Sequence, residues 1–450
     1  MPEEHRIRGR RAADIAADVE RAVADGSLAP GSALPPLRDL ATELAVNPNT
    51  VAAAYRLLRD RGVIETAGRR GSRVLPRPSH TPREQRHIEV PAGARDLADG
   101  NPDPALLPPL EEALAYAAAE QRRDPVLYAR ATVDERLLAL ARADFEADGL
   151  PAGSVAVLSG SLDAIERVLL ARLRPGDSVA VEDPGWGSLL DLLAALGLRT
   201  VAVRVDDEGP TVADTARALA GGAAALVVTS SAQNPTGAAV SARRAAELRA
   251  VLAGHPGVLL VEDDFGHAIA DEPYQLLCVD GAGRPVVDSW VLVRSVTKLL
   301  GPDLRLALVT GDTATVDRVR GRQRLGAGWV SHVLQRAVAQ LWSGGAASRE
   351  RAAAHYALRR GALVSALAGL GVPAHGRSGF NVWVPVHDET AAVVGLLQRG
   401  WVVTAGARFR IASGPGIRIT VSRLSEEEIP RLALDIAAVL RTDLDAARGG

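Results

Sequence analysis

Lys298 is the single lysine of the chain, although Lys and Arg together number 52. Guanidinium stays protonated, whereas an ammonium can be tuned to a free amine that attacks a carbonyl. A solvent-facing lysine is the plain alternative, since the side chain snorkels readily. The flanks favour chemistry. The apolar run Trp290-Val291-Leu292-Val293 delivers Ser295, Thr297 and Lys298 to its C-terminal end, where α/β sheets place their ligands.

Four further clusters follow apolar runs. Ser159-Gly160-Ser161 precedes a helix starting near Leu162; its N–H groups and hydroxyls could cradle a phosphate, and such turns are also common without one. Trp186, in Asp183-Pro184-Gly185-Trp186-Gly187, could stack on a flat heteroaromatic ring or pack at a sheet rim. Asn234-Pro235-Thr236-Gly237 has the composition of a turn. Glu262-Asp263-Asp264-Phe265 places acids at a strand terminus, costly unless a cation such as a protonated pyridine nitrogen faces them. Each has an ordinary structural reading alone; five at successive strand ends form a pattern.

The elements that must carry them alternate between strand and helix from about residue 96, which predicts a mostly parallel sheet with helices on its faces. Strands are expected at Val155–Leu158, Ser178–Val181, Thr200–Val203, Ala225–Thr229, Val258–Val261, Trp290–Val293 and Leu304–Val309. The 450 residues suit two or three domains, and 47% hydrophobic against 24% charged residues is a globular balance. With a net charge of −2, any nucleic-acid contact must come from a local patch. One cysteine excludes a disulfide framework. The opening MPEEHRIRGRR lacks the apolar core of a signal peptide, and no apolar run approaches a membrane span, so a cytoplasmic location is expected.

Residues 1–76 read differently. Ile15, Val19, Ala22 and Val23 recur at helical spacing before Gly26, and Leu37–Leu44 forms a second short helix. Asn47 can cap a third helix opened by Pro48, with Val51, Tyr55 and Leu58 on one face. Two β-prone runs then flank the basic tip Ala67-Gly68-Arg69-Arg70-Gly71-Ser72. This is the layout of a winged helix-turn-helix, a recognition helix for the major groove with a wing for phosphate. Asn49, Thr50 and Ala53 would face bases, and Arg38, Arg69, Arg70 and Arg73 phosphates, with Arg56 suited to either. A three-helix protein-binding module is the alternative. Residues 77–95, rich in proline and charge, read as a tether.

The run LAPGSALPPLRDLATELAVNPNTVAAAYRLLRDRGVIETAGRRGSRV resembles the DNA-binding domain of the GntR family of bacterial repressors, which implies binding to double-stranded DNA half-sites as a dimer. Residues 96–450 resemble the class I/II aminotransferases, fold type I enzymes of pyridoxal 5′-phosphate (PLP), with a large sheet subdomain and a smaller C-terminal α+β subdomain. The resemblance implies that Lys298 forms an aldimine with PLP, Asp263 pairs with the ring nitrogen, Asn234 bonds the phenolic oxygen and Trp186 stacks on the ring. Ser161, Ser295 and Arg305 would hold the phosphate, joined by Tyr128 from the other subunit of a homodimer, and Arg418 would take a carboxylate. The two resemblances together are those of the MocR-type regulators.

Three departures stand out. Phe265 replaces the tyrosine that normally touches the phenolic oxygen, Leu162 replaces a polar residue, and Ala129-Arg130-Ala131 replaces a glycine-containing stretch. They weaken the case for efficient transamination more than that for cofactor binding. The expected function is a PLP-dependent regulator sensing PLP, or an amine or amino-acid effector, at Lys298. The alternatives are an active aminotransferase with an appended DNA-binding domain, and a cofactor-free dimerisation scaffold.

Overall fold

The computed structural model describes residues 5–60, 63–66, 71–74, 90–345 and 347–449. These form two compact units: one holds the described part of 1–86 together with 173–178 and 190–200, the other the rest.

The first unit contains α1 (Ala12–Asp25), α2 (Leu37–Leu44), α3 (Pro48–Asp60) and a two-stranded antiparallel sheet of β1 (Ile64–Thr66) and β2 (Ser72–Val74). Gly26 ends α1 at φ 86°, the left-handed conformation that glycine adopts without a Cβ penalty. The i, i+3, i+4, i+7 set Val51, Ala54, Tyr55 and Leu58 is buried against Ile15, Val19 and Leu40, which turns the opposite face of α3 outward.

The second unit opens with β3 (Arg95–Asp96), α4 (Glu111–Arg123) and α5 (Glu135–Ala147). Then follow β4 (Val155–Leu158), α6 (Ser161–Arg172), β5 (Ser178–Asp183), α7 (Gly187–Ala195), β6 (Arg199–Asp206), β7 (Gly209–Pro210) and α8 (Val212–Ala220), of which residues 178, 190–195 and 199–200 are counted in the first unit. Next come β8 (Ala225–Val228), α9 (Ala242–Ala253), β9 (Leu259–Asp264), β10 (Ser289–Ser295), α10 (Thr297–Leu300) and β11 (Ala307–Gly311). These strands make an eight-stranded sheet in the order β4-β11-β10-β9-β8-β5-β6-β7. β5, β8, β9 and β10 run parallel, while β11 is antiparallel to both neighbours. Both faces of the central strands are covered, which is why they read as unbroken apolar runs rather than alternating ones.

α11 (Thr313–Arg324) packs against α6 and the large sheet, and α12 (His332–Ser343) against α4 and α5. A smaller α+β layer is built from α13 (Arg349–Gly369), β12 (Asn381–Pro385), α14 (Glu389–Leu397), β13 (Trp401–Val402), β14 (Thr404–Ala405), β15 (Gly416–Thr420) and α15 (Ile429–Gly449). Its three-stranded sheet, β12-β15-β14, packs Val382, Ile417 and Ile419 against Tyr356, Leu363 and Ile436.

Two expectations shift. The strand expected at Leu304–Val309 begins only at Ala307, because Pro302–Leu304 coils into a 3₁₀ turn and Arg305 follows at φ 44°. The tether expected to reach residue 95 ends earlier: Arg95 pairs with Trp401 in a short parallel ladder and its guanidinium meets Glu428 at 2.6 Å. Among the described residues no helix is long and apolar enough to cross a membrane.

Candidate cofactor site and nucleic-acid interface

β10 is buried throughout and ends at Ser295, so α10 presents Lys298 at a fixed point at the sheet's edge. The Ser295 hydroxyl lies 2.8 Å from Thr297 Oγ1 and accepts from the Thr297 N–H at 3.2 Å. Lys298 Nζ donates to the Gly100 carbonyl (2.9 Å) and lies 5.5 Å from the Phe380 ring centroid. On the adjacent strand Asp263 is 3% exposed. Burial pushes its carboxyl up to about 7, with the Ser161 hydroxyl and the Lys298 charge opposing and Asp264 and Glu182 adding to the rise. Asp263 Oδ1 and Ser161 Oγ are both buried without a hydrogen-bond partner among the described residues. Buried polar atoms left so are a minority in a folded chain, and here two of them, on Asp263 and Ser161, lie beside each other and near Lys298.

The Ser159–Ser161 loop is shaped by Arg305. Its Nη2 donates to the Ser159 carbonyl at 3.1 Å, and a Cβ on Gly160 (φ 94°) would come within 2.7 Å of that nitrogen. The left-handed φ favours glycine there, and Ser161 then opens α6 with a guanidinium close by, a cradle suited to phosphate.

Arg418, on β15, is 4% exposed. Its Nη1 donates to Asn234 Oδ1 (3.0 Å), Nη2 donates to the Ala98 carbonyl, and the guanidinium lies 4.8 Å from the Phe409 ring centroid. The turn carrying Asn234 is knitted by Gln233, whose side chain accepts from Thr236 Oγ1 (2.6 Å) and donates to Glu182 (3.2 Å) and to the Pro184 carbonyl (2.9 Å). Burial raises the Glu182 carboxyl to about 7, against the Thr229 and Gln233 hydrogen bonds. Trp186, half-buried, follows that same Pro184 loop. Phe265 packs into the core of the smaller layer and offers no hydroxyl. Tyr128 is 89% exposed, its ring edge-on to Trp329 at 5.7 Å.

Lys298, Asp263 and Ser161 thus form one group, Arg305 and Gly160 a second, and Arg418 and Asn234 a third. Sequence reasoning missed Gly100, Phe380, Phe409 and Gln233. The two phenylalanines had a faint signal, being half of only four in the chain. The backbone carbonyl of Gly100 had none.

In the first unit the Asn47 side chain accepts from the Asn49 N–H (2.9 Å), capping α3. Arg38, Asn47, Asn49 and Arg56 are exposed and Thr50 is half-buried. Arg73 is exposed and donates to the Gly31 carbonyl at 3.0 Å. Arg69 and Arg70 lie outside the described residues.

The family model for aminotransferase class I and II matches residues 96–436, and that for bacterial regulatory proteins of the gntR family matches 11–74. The chain is 39% identical over 440 residues to the vitamin B6 salvage pathway transcriptional repressor PtsJ of Salmonella typhimurium, covering 96% of this chain and 99% of that one. It is 30% identical over 258 residues to the pyridoxine biosynthesis transcriptional regulator PdxR of Corynebacterium glutamicum, covering 55% and 54%. Among solved structures, α-aminoadipate aminotransferase LysN from Thermus thermophilus, complexed with N-(5′-phosphopyridoxyl)-L-leucine, superposes with a TM-score of 0.69 at 22% identity over 80% of this chain and 95% of that one. Aspartate aminotransferase from Thermus thermophilus with maleate gives 0.67 at 25% identity over 77% and 92%. The chain therefore belongs to the aminotransferase class I and II family, headed by a gntR-family DNA-binding domain in the manner of the MocR-type regulators.

Proposed function

We propose that this chain is a DNA-binding transcriptional regulator that carries PLP covalently on Lys298 Nζ and responds to PLP itself or to an amine or amino-acid effector. The observation that carries the reading is the buried Asp263 Oδ1 without a partner, electrostatically coupled to the chain's single lysine. When bound, the cofactor supplies an aldehyde that condenses with primary amines and a ring nitrogen that gains from a facing carboxylate.

The chain's own residues fit that group. Asp263 supplies the carboxylate, Asn234 an amide for the phenolic oxygen, and Trp186 a flat face for the ring. Ser161, Ser295 and Arg305 supply hydroxyls and a guanidinium for the phosphate, with Tyr128 of a second copy completing them in a homodimer. Arg418, buried beside Asn234, would take an effector carboxylate. Phe265 leaves the phenolic oxygen without a tyrosine hydroxyl, which favours sensing over turnover. On the DNA side Asn49 and Thr50 read bases from the capped start of α3, with Asn47 fixing that start, while Arg38, Arg69, Arg70 and Arg73 meet phosphate and Arg56 serves either role.

The test is the visible spectrum of the protein with added PLP beside Lys298→Ala, followed by borohydride reduction and mapping of the modified peptide. A band and a mass increment on Lys298, both lost in the variant, are expected, together with a change in promoter-DNA affinity on loading. A band that survives in Lys298→Ala, or an unmodified Lys298, would overturn the covalent assignment. Unchanged DNA affinity would overturn the coupling.

A further inference from the structure

Asp183 is 1% exposed at the end of β5, and its carboxylate collects four hydrogen bonds from one short segment. Oδ1 accepts from the Ile411 N–H and the Ser413 hydroxyl, and Oδ2 from the N–H groups of Ala412 and Ser413, all at 2.8 Å. Two residues on, the Gly185 N–H donates to the Phe409 carbonyl at 2.7 Å. A Cβ on Gly185 would lie 2.3 Å from the Glu182 carbonyl oxygen, so the chain can turn here only as glycine. From its other side the 406–413 segment is held by Glu389, which accepts from the Ala407 N–H (2.7 Å) and from Arg410 Nε (2.8 Å). Between these two acids sits Phe409, fully buried, with the Arg418 guanidinium over its ring.

We infer that Asp183 is a positioning residue: it fastens the loop presenting Trp186 to the segment presenting Phe409, and so holds Arg418 in register for a carboxylate. The bonds are charge-assisted and converge on a buried group, which makes the junction rigid. Gln233 ties the same loop to the Asn234 turn through the Pro184 carbonyl, so two of the groups touching Arg418, Asn234 and Phe409, are both referenced to residues 183–185, while the Ala98 carbonyl and the Thr404 hydroxyl meet its other side. An amide at position 183 keeps one acceptor oxygen and in either orientation turns its NH₂ group toward at least one N–H donor. The segment must then shift, and Phe409 with it.

The inference rests on the reading of Lys298 as the PLP anchor and of Arg418 as the carboxylate receptor, and the experiment separates these. The full-length protein loaded with PLP is titrated with L-alanine and with ethylamine, which lacks the carboxylate, and the shift of the visible band is followed. Arg418→Ala is expected to abolish the preference for L-alanine. Asp183→Asn is expected to weaken L-alanine about tenfold or more while leaving ethylamine within about twofold. Ser413→Ala, which removes only the hydroxyl bond, is expected to weaken L-alanine about threefold, and it carries the test should Asp183→Asn not fold. Equal losses for both ligands, or no loss, in the Asp183 or Ser413 variant would overturn the positioning role. A preference that survives Arg418→Ala would instead overturn the reading of Arg418, and an absent band in the native protein that of Lys298; the inference falls with either.

Discussion

Asp263→Asn is expected to make the cofactor-free protein more stable while loosening its hold on PLP. The Asp263 carboxyl is pushed by burial from its ordinary 3.8 to about 7. Between those values the folded chain keeps a proton that the unfolded chain has released. Stability therefore falls as pH rises through that window and levels off above about 7. At about 1.36 kcal/mol for each pH unit, the full cost at pH 8 is about 4 kcal/mol. Asparagine has nothing to ionise, and its NH₂ group can donate to the Ser161 hydroxyl, which has no partner among the described residues. Some desolvation cost remains, so the expected gain at pH 8 is about 2–4 kcal/mol, shrinking toward zero by about pH 4. Glu182 and Asp264, both also pushed to about 7 by burial, keep their own shares of the slope in the variant. Urea titrations from pH 4 to 8 followed by tryptophan fluorescence measure this, since all six tryptophans lie beyond residue 180 and report the aminotransferase-family portion alone. An Asp263→Asn protein no more stable than the parent at pH 8, or with the parent's pH slope, would refute the argument.

Arg294 is 2% exposed and meets Asp264 at 2.7 Å and Asp144 and Asp148 at 2.6 Å each. Arg294→Met strands those carboxylates and should cost about 3–5 kcal/mol at pH 7, measured by the same titration, with the deficit narrowing as acid protonates them. Gly185→Ala should cost about 1–3 kcal/mol through the clash with the Glu182 carbonyl, read as a lowered thermal midpoint. Arg38→Ala should weaken promoter binding about equally across sequences and reduce the slope of log affinity against log salt by about 1, whereas Asn49→Ala should relax sequence preference and leave that slope intact.

How much of this was legible in the sequence depends on whether the determining signal is local. The central strands were legible because burial on both faces writes a continuous apolar run, as at Ala225–Val228 and Trp290–Val293. The start of α3 was legible because capping involves neighbours, Asn47 and Asn49. What stayed hidden is joined across long stretches of chain or made by backbone atoms: Lys298 to the Gly100 carbonyl, and Asp183 to the N–H groups of residues 411–413. The run Glu262-Asp263-Asp264 shows the boundary most clearly. Its residues looked like one acidic feature in need of one cation. On a strand successive side chains point to opposite faces. Asp263 accordingly faces Ser161 and Lys298, while Asp264 turns to Arg294 in a buried ion network and Glu262 accepts from Ser230 and the Leu277 N–H. The strand's period of two thus divides adjacent acids of like chemistry between two faces, with Asp264 paired to Arg294 and Glu262 hydrogen-bonded to Ser230 and Leu277 on one, and Asp263 facing Lys298 on the other. Only the register of β9 against β10 decides which is which, and that register, Val293 opposite Asp263, is fixed by the hydrophobic packing of the whole sheet rather than by any residue in the run.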